Sequence, residues 1–424
     1  MDRINKSFTI SIMLILVISS LAVIFATIPF GRAQSGTTVS SKIIKEDTTW
    51  TKANSPYTLI GRVGIAKGAT LTIESGVKVN IGLFTLEVNG TLIAQGTPND
   101  RITLNSDNQN INLLYDNPTC KIENAILNQT SINGASSYSN ASVTINNCSL
   151  EGNTALNVWG TTTISNSYIT GAVLLRGASV ISGSTFLNGI DIAGGSSGTS
   201  FRGTYAVSGN NITNQEGRYV VNVGNSETEV AGTITDNIIW GGSVAGICQA
   251  DGFLSMSATI EKNLIINNQI GILTRNNDDD STIQNNTIAN NKVGISNPTS
   301  LQTIAGNNIQ GNSQYNMQAG QTMATAKNNW WGTTDQQAIS QTIYDSNDDF
   351  NVGTINFVPF LTEPNPQAPT INTQIPTPTP SSSQTPYPSP TVPELSLLAI
   401  LPLFASILYS AVILRHRKLA SLRK

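Results

Sequence analysis

Ile260-Glu-Lys-Asn263-Leu-Ile265, Ile283-Gln-Asn-Asn286-Thr-Ile288 and Ile304-Ala-Gly-Asn307-Asn-Ile309 are copies of one phrase, apolar-x-x-polar-x-apolar. Two earlier copies are Val207, Asn210, Ile212 and Ile234, Asn237, Ile239; a degraded last one is Thr325, Asn328, Trp330. Their anchors are 27, 26, 23, 21 and 21 residues apart, and looser anchors continue backwards through Ile181, Ile164, Ile145 and Ile122. Self-similarity at such a period is the mark of a solenoid.

Apolar positions five apart cannot both face one core on a flat strand, because side chains alternate. A bend must lie between them, and asparagine supplies one, since it tolerates the left-handed region and can bond its own backbone. Each copy therefore reads as strand, asparagine corner, strand and outward loop. Ser281-Thr-Ile-Gln and Asn286-Thr-Ile-Ala have the length and composition of short strands. No heptad or long 3.6-residue period is present, which sets helical solenoids aside. The expected fold is all-β: a parallel β-helix over residues 57–360, of roughly 13 coils and about 60 Å long at ~4.8 Å per coil. Asn210, Asn237, Asn263, Asn286, Asn307 and Asn328 are expected to stack as a structural corner. In the first coils, Leu71, Ile73, Leu86 and Val88 alternate inward against Thr70, Thr72 and Glu87.

Both ends of a solenoid need covering. Trp50, in a lead over residues 34–56, is the candidate N-terminal cap. In Asn328-Asn-Trp-Trp-Gly332 the expectation is Trp330 inward and Trp331 closing the last coils, helped by Ile339, Ile343, Phe350, Ile355, Phe357 and Phe360.

The termini differ in composition. Residues 1–33 carry Arg3 and Lys6, then an apolar run, then Gly31-Arg-Ala33, which reads as a signal peptide, with an uncleaved N-terminal anchor as the competing reading. Residues 361–394 are rich in Pro, Thr and Ser and read as an extended stalk. Residues 395–414 lack charge and read as a transmembrane helix, with residues 415–424 a basic cytoplasmic tail. The chain has 23 Lys and Arg against 26 Asp and Glu. Setting aside eight basic residues and one acidic residue at the two ends leaves 15 against 25, a net charge of −10. That balance argues against a nucleic-acid partner. Three cysteines are too few for a disulfide framework, and buried single thiols are expected.

The chemistry-bearing residues are sparse. Asp278, Asp279 and Asp280, preceded by Arg275, are the candidate for Ca²⁺ binding or for an enzyme site, weighed against a solvated charged loop. The single histidine, His416, follows the apolar tail, which removes imidazole chemistry from the rest of the chain. Asn89, Asn128, Asn140, Asn147, Asn211 and Asn285 each open an Asn-x-Ser/Thr sequon, candidates for N-glycosylation, with Asn140 the first choice.

The asparagine-cornered repeats, the opening Ala69-Thr-Leu-Thr-Ile-x-x-Gly-Val-x-Val with Leu86-x-Val-x-Gly-Thr-Leu-x-Ala, and the closing Asn328-Asn-Trp-Trp-Gly resemble right-handed parallel β-helix proteins of the pectate-lyase-like superfamily. The nearest likeness is to archaeal surface proteins and the NosD-like group. The tail from Val392-Pro-Glu-Leu395 is similar to archaeal tripartite sorting signals, with Leu395 where such signals commonly have Phe. A rigid rod on a Pro/Thr stalk, with long faces of Thr, Asn and Ser whose repetition gives avidity, reads as a cell-surface structural or adhesive protein that contacts polysaccharide or envelope components through its lateral faces. A surface polysaccharide lyase or glycoside hydrolase is the alternative. A copper role, suggested by the NosD-like label, sits poorly with three Cys and five Met scattered along the chain. Ligand identity and oligomeric state stay open.

Overall fold

The computed structural model describes residues 36–114, 117–134, 141–193, 203–214, 217–224, 230–249, 256–275 and 278–371. Each coil contributes strands to three faces. In the coil of Asn263 these are Met256–Glu261 on the first face, Leu264–Ile266 on the second and Ile270–Thr274 on the third. Every one pairs in parallel with the matching strands one coil before and one coil after. The result is an all-β, right-handed parallel β-helix of about 12 turns, where the repeat spacing led to 13.

The anchors of the quoted phrase are vertical neighbours. Val207, Ile234, Ile260, Ile283 and Ile304 are register partners in succession. Each is at most 2% exposed. Deleting one such side chain to alanine costs about 2–5 kcal/mol, so the inward column resists polar substitution throughout. The first coils obey the expected alternation, with Leu71, Ile73, Leu86 and Val88 buried.

Coiling starts ahead of residue 57. Thr37–Val39, Lys42–Ile44 and Thr48–Trp50 already pair with Tyr57–Leu59, Val63–Ile65 and Thr70–Ile73. Trp50 is buried and lies flat on Tyr57, ring centroids 4.8 Å apart at 11°.

The corner works differently from the expectation that its asparagines themselves turn the chain. The left-handed residue is the one before: Asp236 (φ 56°), Lys262 (55°), Asn285 (54°), Gly306 (69°) and Asn328 (58°). Making the turn one residue early leaves the following asparagine side chain free to run along the axis. That shift also corrects the last copy. The column continues at Asn329, which is fully buried, and Asn328 occupies the turn position instead.

The same one-residue slip exchanges the tryptophans. Trp331 is the inward one, 2% exposed, meeting Phe357 edge-on at 6.1 Å and 74°. Trp330 is half-buried, and its indole N–H donates to Gln310 Oε1 at 2.8 Å. Below them a short helix, Gln336–Ser340, is capped by the Asp335 carboxylate, which accepts from the N–H groups of Gln337 and Ala338. It drives Ile339 into the end of the core. Phe350, expected to help cover that end, is 99% exposed.

Residues 361–371 do not extend away as a stalk. Leu361 N–H donates to Asn329 O, Asn365 pairs with Asn308, and Thr287 Oγ1 donates to Pro369 O, so the chain doubles back along the second face past successively earlier coils. Residues 372–394 of the expected stalk, the signal or anchor over 1–33, the tail 415–424 and Asn140 lie outside the described residues. The expected transmembrane helix is corrected. Among the described residues no helix is long and apolar enough to cross a membrane, and 395–414 are outside them.

Candidate functional site

Asn210, Asn237, Asn263, Asn286 and Asn307 stand one above another and continue to Asn329. In each step both the backbone N–H and the side-chain amide of one residue donate to Oδ1 of the next, at 2.8–3.0 Å. The amide also reaches the carbonyl of the inward anchor one coil back, as Asn286 does to Ile260 O at 2.7 Å. The column thus satisfies backbone groups that the corner would leave buried and unpaired.

Towards the N-terminus the column tapers through Ser184 and Ser167 to Cys148, each backbone N–H donating to the side chain below it. The thiol of Cys148 takes the asparagine's place, within reach of Ile122 O at 3.4 Å and Asn146 O at 3.2 Å. Cys148→Ser, which restores the rung found at Ser167, is expected to keep about 1 kcal/mol more stability than Cys148→Val, which leaves both carbonyls without that donor. Chemical denaturation of the two variants checks it.

A second ladder turns the corner between the second and third faces. Gly242 N–H donates to Asn268 Oδ1, Asn268 to Asn291 and Asn291 to Asn312. Its amides lie against Gly246, Gly271 and Gly294. A Cβ on Gly271 would stand 2.6 Å from Gly294 O, 2.8 Å from the Ile288 side chain and 3.1 Å from the Asn291 amide. Asn-x-x-Gly-Ile after the first phrase is the readable sign of this ladder, and it recurs at Asn268 and Asn291.

The acidic trio does not converge. Asp278 and Asp280 are exposed, whereas Asp279 between them is completely buried. Asp279 Oδ1 accepts from Ser281 N–H at 2.8 Å and its carbonyl from Thr299 Oγ1 at 2.7 Å, while Oδ2 has no partner. Burial pushes this carboxyl up to about 6, against bonds from Ser281 and Gln302 that pull it down. It belongs to a polar plug in which Gln302 and Thr274 bond Gln249, and Gln249 bonds Ser281. The solvated loop holds only for its neighbours. Arg275 is exposed, and its guanidinium donates to Tyr219 Oη at 3.1 Å. Among the described residues no three His, Cys, Asp or Glu side chains are grouped to hold a metal ion.

A groove of about 460 Å³ opens beside that plug at the end of the third face. Its lining includes Thr274, Arg275, Asn297, Gln318, Gln321 and Asn351, amides and hydroxyls with one cation and no carboxylate. Tyr344 pairs in register with Gln318 and lies 5.2 Å from Tyr315, ring to ring. Its hydroxyl donates to Asp349, whose other oxygen accepts from Asn351 N–H and Nδ2. Those two bonds, with the Tyr344 hydroxyl, hold the Asp349 carboxyl below the usual range, and Phe350 projects from the same turn. Sequence reasoning passed over this cluster of Asp345, Asp348 and Asp349, although their spacing is plain in the chain. Asp345 is a structural acceptor, taking N–H bonds from Asn347 and Ile355. A second hollow of about 550 Å³, near Gly152 and Asn188, has neither aromatic nor charged lining.

The sequons fall unequally. Asn128 is exposed. Asn89 is half-buried, Asn147 donates to Asn124 Oδ1, Asn211 accepts from the Trp240 indole, and Asn285 is tied to Glu261 and Asn365.

Residues 177–346 match the family model described as Periplasmic copper-binding protein (NosD). No curated protein and no solved structure matches the chain. The side chains do not fit a copper site. The three cysteines form no disulfide and are sealed in the core, and burial pushes the Cys120 and Cys148 thiols up to about 12 and about 11, far from the thiolate that binds soft metals. The likeness to the NosD family therefore lies in the coil: over residues 177–346 this chain is similar to that family.

Proposed function

We propose that the protein is an exported structural or adhesive β-helix that holds an extended polysaccharide against its third face. The observation that carries this reading is the groove of amides and hydroxyls joined, through the turn at Asp349–Asn351, to Tyr344, Tyr315 and the exposed Phe350. Sugar rings present apolar faces and hydroxyl edges. Aromatic platforms take the first and amide side chains the second. Stacked coils repeat short polar side chains along the face, so that many weak contacts add up by multivalency. The net charge of −10 outside the terminal segments favours a neutral polymer over an acidic one.

Affinity electrophoresis of the protein through gels containing neutral or uronate-rich polysaccharides tests the proposal. Retardation is expected in a neutral gel. Phe350→Ala combined with Tyr344→Ala is expected to weaken it by about tenfold or more, that is ~1.4 kcal/mol or more. Equal retardation of parent and variant, or none of the parent in any neutral polymer, would overturn the reading.

A further inference from the structure

The returning C-terminal segment lies over one sequon, Asn285-Asn286-Thr287, and bonds both the Asn285 side-chain oxygen and the Thr287 hydroxyl. Asn285 Oδ1 accepts from Asn365 Nδ2 at 2.8 Å, and Asn285 Nδ2, the atom that would carry a glycan, donates to Glu261 Oε1 at 3.2 Å. Asn286 is a fully buried rung of the first ladder. Thr287, 2% exposed, spends its hydroxyl on Pro369 O at 2.5 Å. Asn365 is itself fixed, donating to Gly306 O and Asn308 Oδ1 and accepting from Asn308 Nδ2.

A glycosyl transfer to a sequon needs both the asparagine amide and the hydroxyl two residues on. We propose that residues 361–371 act as a strap that closes Asn285 to N-glycosylation, so that this site accepts a glycan only while the strap is undocked. The segment is joined to the rod by hydrogen bonds at Asn329, Asn308, Gly306, Asn285 and Thr287 rather than by a shared sheet. Such an element opens locally at a lower free energy than the coils beneath it. Asn140 is the internal comparison, because the hydroxyl of its sequon belongs to Ser142, which is exposed and lies far from the strap in sequence. Neither the groove nor the identity of its ligand enters this inference.

The test is glycosylation in vitro of the purified, folded full chain by an oligosaccharyltransferase with a lipid-linked glycan, read site by site by peptide mass spectrometry. Asn140 is expected to be modified and Asn285 at least about tenfold less, the ratio for a strap held by ~1.4 kcal/mol or more. Asn365→Ala, and separately a chain ending at Thr362, are expected to raise Asn285 towards the level of Asn140. Asn147 and Asn211 must stay unmodified in these variants. If truncation opens them too, the rod has unfolded and Asn365→Ala alone decides. Equal modification of Asn285 and Asn140 in the parent overturns the proposal. So does an unmodified Asn285 in Asn365→Ala with Asn140 modified.

Discussion

Asn286→Ala is expected to lower the stability of the rod by about 3–6 kcal/mol, the middle of the range for two or three buried groups each left unpaired at about 1–3 kcal/mol. The alanine removes Oδ1, on which both the backbone N–H and the side-chain amide of Asn263 depend, at 2.9 and 3.0 Å. It also removes the amide that reaches Ile260 O and Gln284 O. No water can replace these partners, since Asn263 and Asn286 are both fully buried. Coils of a solenoid couple mainly to their neighbours, so the loss should appear first as a local transition around Ile260–Ile309. Hydrogen exchange of the amides of Asn237, Asn263 and Asn286 is the measurement. A sharper control lies at the end of the column. Asn329→Ala should be similarly damaging, whereas Asn328→Gly should cost little, because position 328 needs only a left-handed backbone (φ 58°). Equal losses at 328 and 329 would contradict the register described above.

Asp279→Asn is expected to act in the opposite sense and to depend on pH. The folded carboxyl is raised from 3.8 to about 6 by burial, so the folded state holds the proton more tightly than the unfolded chain does. Below about pH 3 the group is neutral in both states and costs nothing. As pH rises from about 4 to 6 the unfolded chain ionises first, and stability falls by an amount on the order of 3 kcal/mol, fully developed above about pH 6. An asparagine keeps the acceptor for Ser281 N–H and never ionises. Its amide would take the place of the unpartnered Oδ2, in a region where the Tyr205 hydroxyl also lacks a partner. The variant should therefore melt higher than the parent at pH 7.5 by the equivalent of about 1–3 kcal/mol and close to it at pH 4. Calorimetry at the two pH values decides. A variant less stable by the same margin at both would mean that the plug needs the acid for its shape.

Much of the rod was legible because its period is carried by two residue types with opposite requirements. The isoleucine anchors need a dry interior and the asparagines need a partner in the next coil, so their spacing can satisfy both only as a stack. The slip at the last copy has an equally physical origin. Asn328-Asn329 and Trp330-Trp331 duplicate both key residue types side by side, and spacing alone cannot say which of each pair faces inward. Backbone conformation decides, and that is set by the turn at 328. The second ladder was written at Asn268, Asn291 and Asn312, yet it hides behind the variable loop length that draws the eye to the first. Asp279 was misread with its neighbours because a run of like charges looks solvated, and only the coils around it reveal the enclosure. Composition misled at Leu361, where the proline-rich signature of an extended tether begins before the chain has left the rod. The groove depends on a loop, Asp345–Gly353, that carries no trace of the repeat.

All oxygen-accepting rungs of the asparagine column point the same way: each asparagine gives its backbone N–H and one amide hydrogen to the asparagine of the coil that follows it. A chain made from its N-terminus onward thus always has a leading edge whose donors are waiting for a sequence not yet synthesised. Growth along the axis is vectorial, and the newest coil matures only on arrival of its successor. The column ends at Asn329, whose amide keeps the backward bond to Ile304 O that every rung makes and gives its other hydrogen to Ala326 O in its own coil, so that the last rung needs no successor.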